Sequence, residues 1–66
     1  MVMERIVLFG FPAVVYQAPL LPGMADRYWI DLVISPMIRL GTVTWCDTHE
    51  EAVAEIRKAL ERLNYL

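Results

Sequence analysis

The last third of the chain carries the pattern that most limits how it can fold. Ala52, Val53, Ile56, Ala59, Leu60 and Leu63 fill one arc about 120° wide when wound at about 100° per residue. Glu50, Glu51, Glu55, Arg57, Lys58, Glu61 and Arg62 all fall outside that arc. Thr48 suits an N-cap, and Glu51 three residues later completes a capping box. Glu50 and Glu51 also put negative charge in the first turn, where the helix dipole favours it. The spacing predicts a helix over residues 48–63. Lys58 lies three residues from both Glu55 and Glu61, and Arg57 four before Glu61, which adds modest support. One amphipathic helix cannot bury its apolar stripe alone, so the rest of the chain must cover it.

That remainder reads as strands. In residues 28–34, Tyr28, Ile30, Leu32 and Ile34 alternate with Trp29, Asp31 and Val33. Ser35-Pro36 ends the run. Residues 40–46 read as a further strand, with Val43 and Trp45 on one face and Thr42, Thr44 and Cys46 on the other. The short link over residues 35–39 implies antiparallel pairing of the two. The first third is less regular. Residues 5–11 and 13–18 are apolar and β-prone with Pro12 between them, which suggests one bent edge strand or two short ones. Residues 19–27 read as a loop with a turn at Pro22-Gly23. There is no internal repeat. The expectation is one α+β domain over residues 1–66, a small antiparallel sheet of about three strands packed by one C-terminal helix, in the order β-β-β-α.

A chain of 66 residues buries only about 60% of the surface that its unfolded form exposes. With one cysteine it forms no internal disulfide, and one Cys and one His fall short of a four-ligand metal site. Yet 58% of its residues are hydrophobic. Val14, Val15, Tyr16, Leu20, Leu21 and Met24 exceed what so small a core can hide, so the chain is expected to associate with itself as a homodimer or larger, by edge pairing through the first strand. The net charge is −2 and no basic stripe exists, which argues against nucleic-acid binding by this chain alone. An unpaired cysteine points to a reducing, cytoplasmic setting. Residues 6–25 carry no charge and would be long enough to span a membrane, but Pro12, Pro19 and Pro22 interrupt helix hydrogen bonding that lipid cannot replace. Glu4 weakens any signal-peptide reading. No membrane association is expected.

The residues that carry chemistry are sparse. Cys46, Asp47 and His49 are close in sequence but make an incomplete ligand set, and nothing orients His49, expected to face solvent, as a base for a Cys–His pair. Glu50, Glu51, Glu55 and Glu61 are expected on the solvated helix face. Asp31 is the one acidic residue inside a strand, and Asp26 lies in a loop. Gly10, Gly23 and Gly41 are too far apart for a phosphate loop. No catalytic, cofactor-binding or metal-binding residue is assigned, and the chain reads as a non-enzyme. The aromatics offer more. Trp29 and Trp45 lie on strands expected to pair. One reading puts one beneath the helix and the other on the open sheet face as an interface anchor; the other buries both in the core. The candidate interface residues are Trp29, Trp45, Val14, Tyr16, Leu20 and Leu21.

Residues 28–63 resemble the HicB-like antitoxin family, whose members show a strand, a Pro-x-Leu-Pro-Gly turn, a strand ending in Gly-Asp-Thr, and a helix opening Glu-Glu-Ala. Here Tyr28-Trp29-Ile30-Asp31-Leu32-Val33 stands in for the first strand and Pro36 through Gly41 for the turn. Thr42-Val43-Thr44-Trp45 takes the place of the next strand. Cys46-Asp47-Thr48-His49-Glu50-Glu51-Ala52 looks like the start of the helix, with Ile56 and Leu60 in its core. Cys46 replaces the usual glycine, and the turn has one residue more than the family's. The resemblance implies a partial ribonuclease-H-like fold without nuclease residues, and a role in blocking a small basic ribonuclease toxin. The expected function is therefore a non-catalytic protein-binding module, antitoxin-like. The alternative is a small homo-oligomeric accessory or adaptor protein with no toxin partner.

Overall fold

A computed structural model describes all 66 residues. The strands are β1 (Val2–Leu8), β2 (Phe11–Pro19), β3 (Asp26–Ser35) and β4 (Ile38–Gly41), and the helix α1 spans His49–Arg62. The strands form one antiparallel sheet in the order β1-β2-β3-β4. The α+β class and the C-terminal helix follow the expectation; the sheet has four strands rather than about three.

The extra strand comes from where the chain reverses. It turns at Phe9-Gly10, not at Pro12. Both residues have positive φ, 51° and 85°, the backbone of a two-residue hairpin turn whose twist matches the strands it joins. Phenylalanine is uncommon there, so sequence pattern gives no hairpin signal. Pro12 sits inside β2, opposite Val7, one step from the Leu8–Phe11 pair that closes the turn. Antiparallel hydrogen bonding alternates sides, so the Pro12 nitrogen faces away from β1 and toward β3. The β2–β3 ladder stops at the Ala13–Leu32 pair, one residue short of needing Pro12 as a donor.

The loop between β2 and β3 is shorter than expected, at residues 20–25. The Pro22-Gly23 turn forms: Gly23 has φ 87°, and the Met24 amide donates to the Leu21 carbonyl at 3.1 Å. β3 passes to β4 through Pro36-Met37, with a register shift between Val33 and Ser35.

β4 differs most from expectation. The strand predicted over residues 40–46 starts earlier and ends at Gly41. Gly41 pairs with Asp31, and Cys46 exchanges two 2.8 Å backbone hydrogen bonds with Tyr28. Four residues, 42–45, therefore face only two, Trp29 and Ile30, on β3, and the excess loops out of the sheet. Thr42 bridges the defect. Its amide donates to the Ile30 carbonyl at 3.0 Å, and its buried hydroxyl accepts from the Ile30 amide at 3.4 Å, replacing a lost backbone acceptor.

The core lies between one sheet face and α1. Strand alternation turns Ala13, Val15, Ile30 and Leu32 toward Ala52, Ile56 and Leu60, with Cys46 at the margin. Ile30, Leu32, Ile56 and Leu60 are fully buried, and such side chains each stabilise by about 1.5–3 kcal/mol. Ile6, Leu8, Phe11 and Leu40 extend the cluster. Thr48 caps the helix as the spacing predicts, its Oγ1 accepting from the Glu51 amide at 3.1 Å. At the other end Asn64 turns left-handed, with φ 64°. The Asn64 amide donates to Glu61 and the Tyr65 amide to Leu60, a Schellman closure. It brings the Tyr65 ring edge-on to Phe11, 6.1 Å between centroids.

Candidate protein-binding face

The alternation that aims Ile30 and Leu32 at the helix aims their neighbours the other way. Val14 and Tyr16 of β2 and Trp29, Asp31 and Val33 of β3 share the second sheet face, with Met3, Arg5 and Val7 from β1 and Arg39 and Gly41 from β4. No helix covers it. Tyr16 and Trp29 are direct cross-strand partners, as are Val14 and Asp31.

The looped-out segment adds the remaining aromatic. It sets the Trp45 ring 5.9 Å from that of Trp29, tilted by 52°. Trp29 Nε1 donates to Asp31 Oδ1 at 2.9 Å, a contact open to residues two apart on one strand face. Gly41, opposite Asp31, makes room for it: a Cβ there would lie 2.9 Å from Asp31 Oδ1 and 3.7 Å from Trp29 Nε1. Met1, Tyr16, Trp29, Asp31 and Trp45 line a recess of about 280 Å³. A second recess of about 230 Å³ adjoins it, bordered by Met1, Trp45, Leu20 and Arg27 among others.

Of the sequence-derived interface residues, Trp29, Trp45 and Tyr16 meet in one place and Val14 lies beside them on the same face. Leu20 reaches the adjoining recess, whereas Leu21 is exposed in the turn and lines neither. Neither tryptophan lies beneath the helix, and neither is a core residue: Trp29 is half-buried and Trp45 is 36% exposed. The reason is register. Trp29 has the opposite parity to Ile30; the two extra residues before Cys46 leave the parity of Trp45 unchanged but bring it level with Trp29 instead of Arg27. Asp31 stood out in the sequence only as a lone strand carboxylate; its bond to Trp29 depends on the i, i+2 relation and on a glycine in the next strand.

The Cys46 region is structural in its contacts. Cys46 is buried, and its Sγ lies 3.1 Å from Glu55 Oε2 and 3.6 Å from the Thr44 carbonyl. Burial foremost, and then the Glu55 carboxylate, pushes the thiol up to about 11, so it stays protonated and weakly nucleophilic near neutrality. Glu55 departs from the solvated position expected of it. It is half-buried and turns back over the looped segment, accepting from the Val43 amide at 3.1 Å as well as from the thiol. His49 is exposed at the first helical position, its ring edge-on to Tyr28 at 5.9 Å. Asp47 pairs with Arg27 at 3.6 Å in an exposed contact of little energetic weight. No three His, Cys, Asp or Glu side chains converge as a metal-binding group. No helix is long and apolar enough to cross a membrane. No family model, curated protein or solved structure matches the chain.

Proposed function

We propose that this protein is a non-catalytic binding module that docks a basic partner protein on the uncovered face of its sheet. The carrying observation is the cluster of Tyr16, Trp29 and Trp45, three large aromatics on a face that no element of the chain covers. Tryptophan and tyrosine are the residues most enriched where truncation weakens protein interfaces, because they contribute much contact area and few lost rotamers. A net charge of −2 favours encounter with a basic partner over a nucleic acid. The antitoxin-like form of the reading takes that partner to be a small basic ribonuclease toxin, in a reducing cytoplasm that suits a free buried thiol. The test is co-expression with the product of the neighbouring reading frame, followed by a growth assay and co-purification. Rescue of growth and a stoichiometric complex, both lost with Trp45→Ala, are expected. A neighbour that is neither toxic nor retained would exclude the antitoxin form.

A second reading has its own observation. β1 is an edge strand, and its Val2, Met3 and Val7 are 59%, 60% and 75% exposed. An edge of this kind can pair with a second copy, which would make the chain a homo-oligomeric accessory protein. Sedimentation at rising concentration separates the two: a compact monomer throughout removes the self-association reading.

A further inference from the structure

We infer that the recess lined by Tyr16, Trp29, Asp31 and Trp45 is a cage for one arginine side chain of the docked partner. The inference rests on the proposed docking face and specifies which group of the partner enters it.

The walls are suited to a cation. Tyr16, Trp29 and Trp45, with Met1, line about 280 Å³, and a cation over an aromatic face is attracted by its quadrupole. The floor carries a matching charge. Asp31 is half-buried, and its Oδ1 is fixed by Trp29 Nε1 at 2.9 Å. It makes no ion pair within the chain, whose one salt bridge joins Arg27 to Asp47. A half-buried carboxylate with no ion-pair partner, beside Trp29 in a recess lined by aromatics, is complementary to a positive group brought from outside.

The shape selects guanidinium over ammonium. The Trp29 and Trp45 rings, tilted by 52° and centred 5.9 Å apart, pack against each other, so the recess opens beside the pair and not between its rings. A planar guanidinium can lie flat on one indole and present its N–H edge to the Asp31 carboxylate, whose lone pairs exceed what the one indole bond uses. A compact, strongly hydrated ammonium gains less from a flat wall. Gly41 leaves room for that carboxylate, since a Cβ there, 2.9 Å from Oδ1, would make the Asp31 side chain shift.

Trp29 and Trp45 are the chain's only two tryptophans, so their indole N–H resonances report on this site alone. The experiment titrates the ¹⁵N-labelled protein with the N-acetyl methylamides of arginine, lysine and citrulline. Saturable shifts of both indole signals by the arginine compound, with an affinity on the order of millimolar, are expected. The lysine compound should bind several-fold more weakly, and citrulline, with nearly the same shape but no charge, should not saturate. Asp31→Asn keeps an oxygen to accept the Trp29 bond and should reduce the preference for arginine over citrulline several-fold, leaving the part due to the aromatic walls. Equal shifts from arginine and citrulline, preference for lysine, or no response to arginine would each overturn the inference. The docking reading is tested separately. A co-purifying partner with an arginine-blind recess leaves docking intact and removes the cage; arginine binding with no retained partner does the reverse.

Discussion

The two faces of the sheet are made by alternate residues of the same strands, yet they differ in chemistry. The face under α1 is aliphatic and closed: Ala13, Val15, Ile30 and Leu32 mesh with Ala52, Ile56 and Leu60. The outer face carries Tyr16 and Trp29 at the neighbouring positions, with Trp45 folded against them and Asp31 alongside. Small and branched aliphatics pack a thin two-layer core without voids. Aromatics with polar edges can remain half-wet without leaving unsatisfied groups buried. The placement separates what holds the fold together from what is available to a partner, and substitutions on the two faces should have separable effects.

The largest expected effect is on stability, from the covered face. Ile56→Ala removes a fully buried side chain and should cost about 3 kcal/mol, much of the roughly 3–10 kcal/mol available to a domain of this size. Trp45→Ala, on the open face, should cost less than about 1 kcal/mol while abolishing partner binding. Urea denaturation of both variants checks the contrast, and equal losses of stability would collapse the distinction between the faces.

Glu55 tests the element that joins them. It accepts from Val43 and Cys46 and so anchors the loop that delivers Trp45 to the outer face. Glu55→Ala should cost about 1–2 kcal/mol and displace the Trp45 indole resonance more than that of Trp29. A native Trp45 signal in this variant would show that the loop holds its shape without the helix.

A further prediction uses pH. The Cys46 thiol is raised from 9.0 to about 11 in the folded protein. The unfolded chain therefore loses this proton first, and the thiol's contribution to stability, complete below pH 9, is lost as pH rises toward 11. Cys46→Ser should fold and should lack that part of the alkaline decline, because serine does not ionise there. Denaturation midpoints of the two proteins from pH 8 to about 11 make the comparison. Parallel curves would mean that the thiol is not held by its surroundings.

The smallest effect should be a gain. Asn64 adopts φ 64° to close the helix, a conformation that glycine accepts at less cost. Asn64→Gly should stabilise by a few tenths of a kcal/mol, read as a slight rise in midpoint with the indole resonances unmoved. A drop would indicate that the Asn64 side chain contributes a contact of its own.

The sequence conveys those parts of this structure that depend on short spacings. The helix and its Thr48 cap are legible because their determinants lie within four residues of one another. The inward parity of Ile30 and Leu32 follows from strict alternation, and Pro22-Gly23 states its own turn. The hairpin at Phe9-Gly10 is not legible, since its first residue takes a left-handed conformation that phenylalanine rarely adopts and that only the packed hairpin imposes. Residues 42–45 mislead for a related reason. Thr42, Val43 and Thr44 are β-prone, but Glu55, twelve residues beyond Val43, captures its amide and holds the segment out of the sheet. The candidate site depends on that detour, so its three aromatics can be named from sequence while their meeting cannot.

The strictly sequential strand order has a consequence for how the chain reaches this state. Every strand pairs with its neighbour in sequence, so each hairpin closes a short loop at small entropic cost. The helix alone must find surface formed much earlier in the chain, and its final contact, Tyr65 on Phe11, spans most of the protein. Refolding should therefore be limited by helix docking rather than by strand assembly. Until docking occurs, the meander exposes Ile30 and Leu32 on one side and the tryptophans on the other, a sheet sticky on both faces. During synthesis the helix leaves the ribosome after the strands that it must cover, so the sheet is made before the element that closes one of its faces.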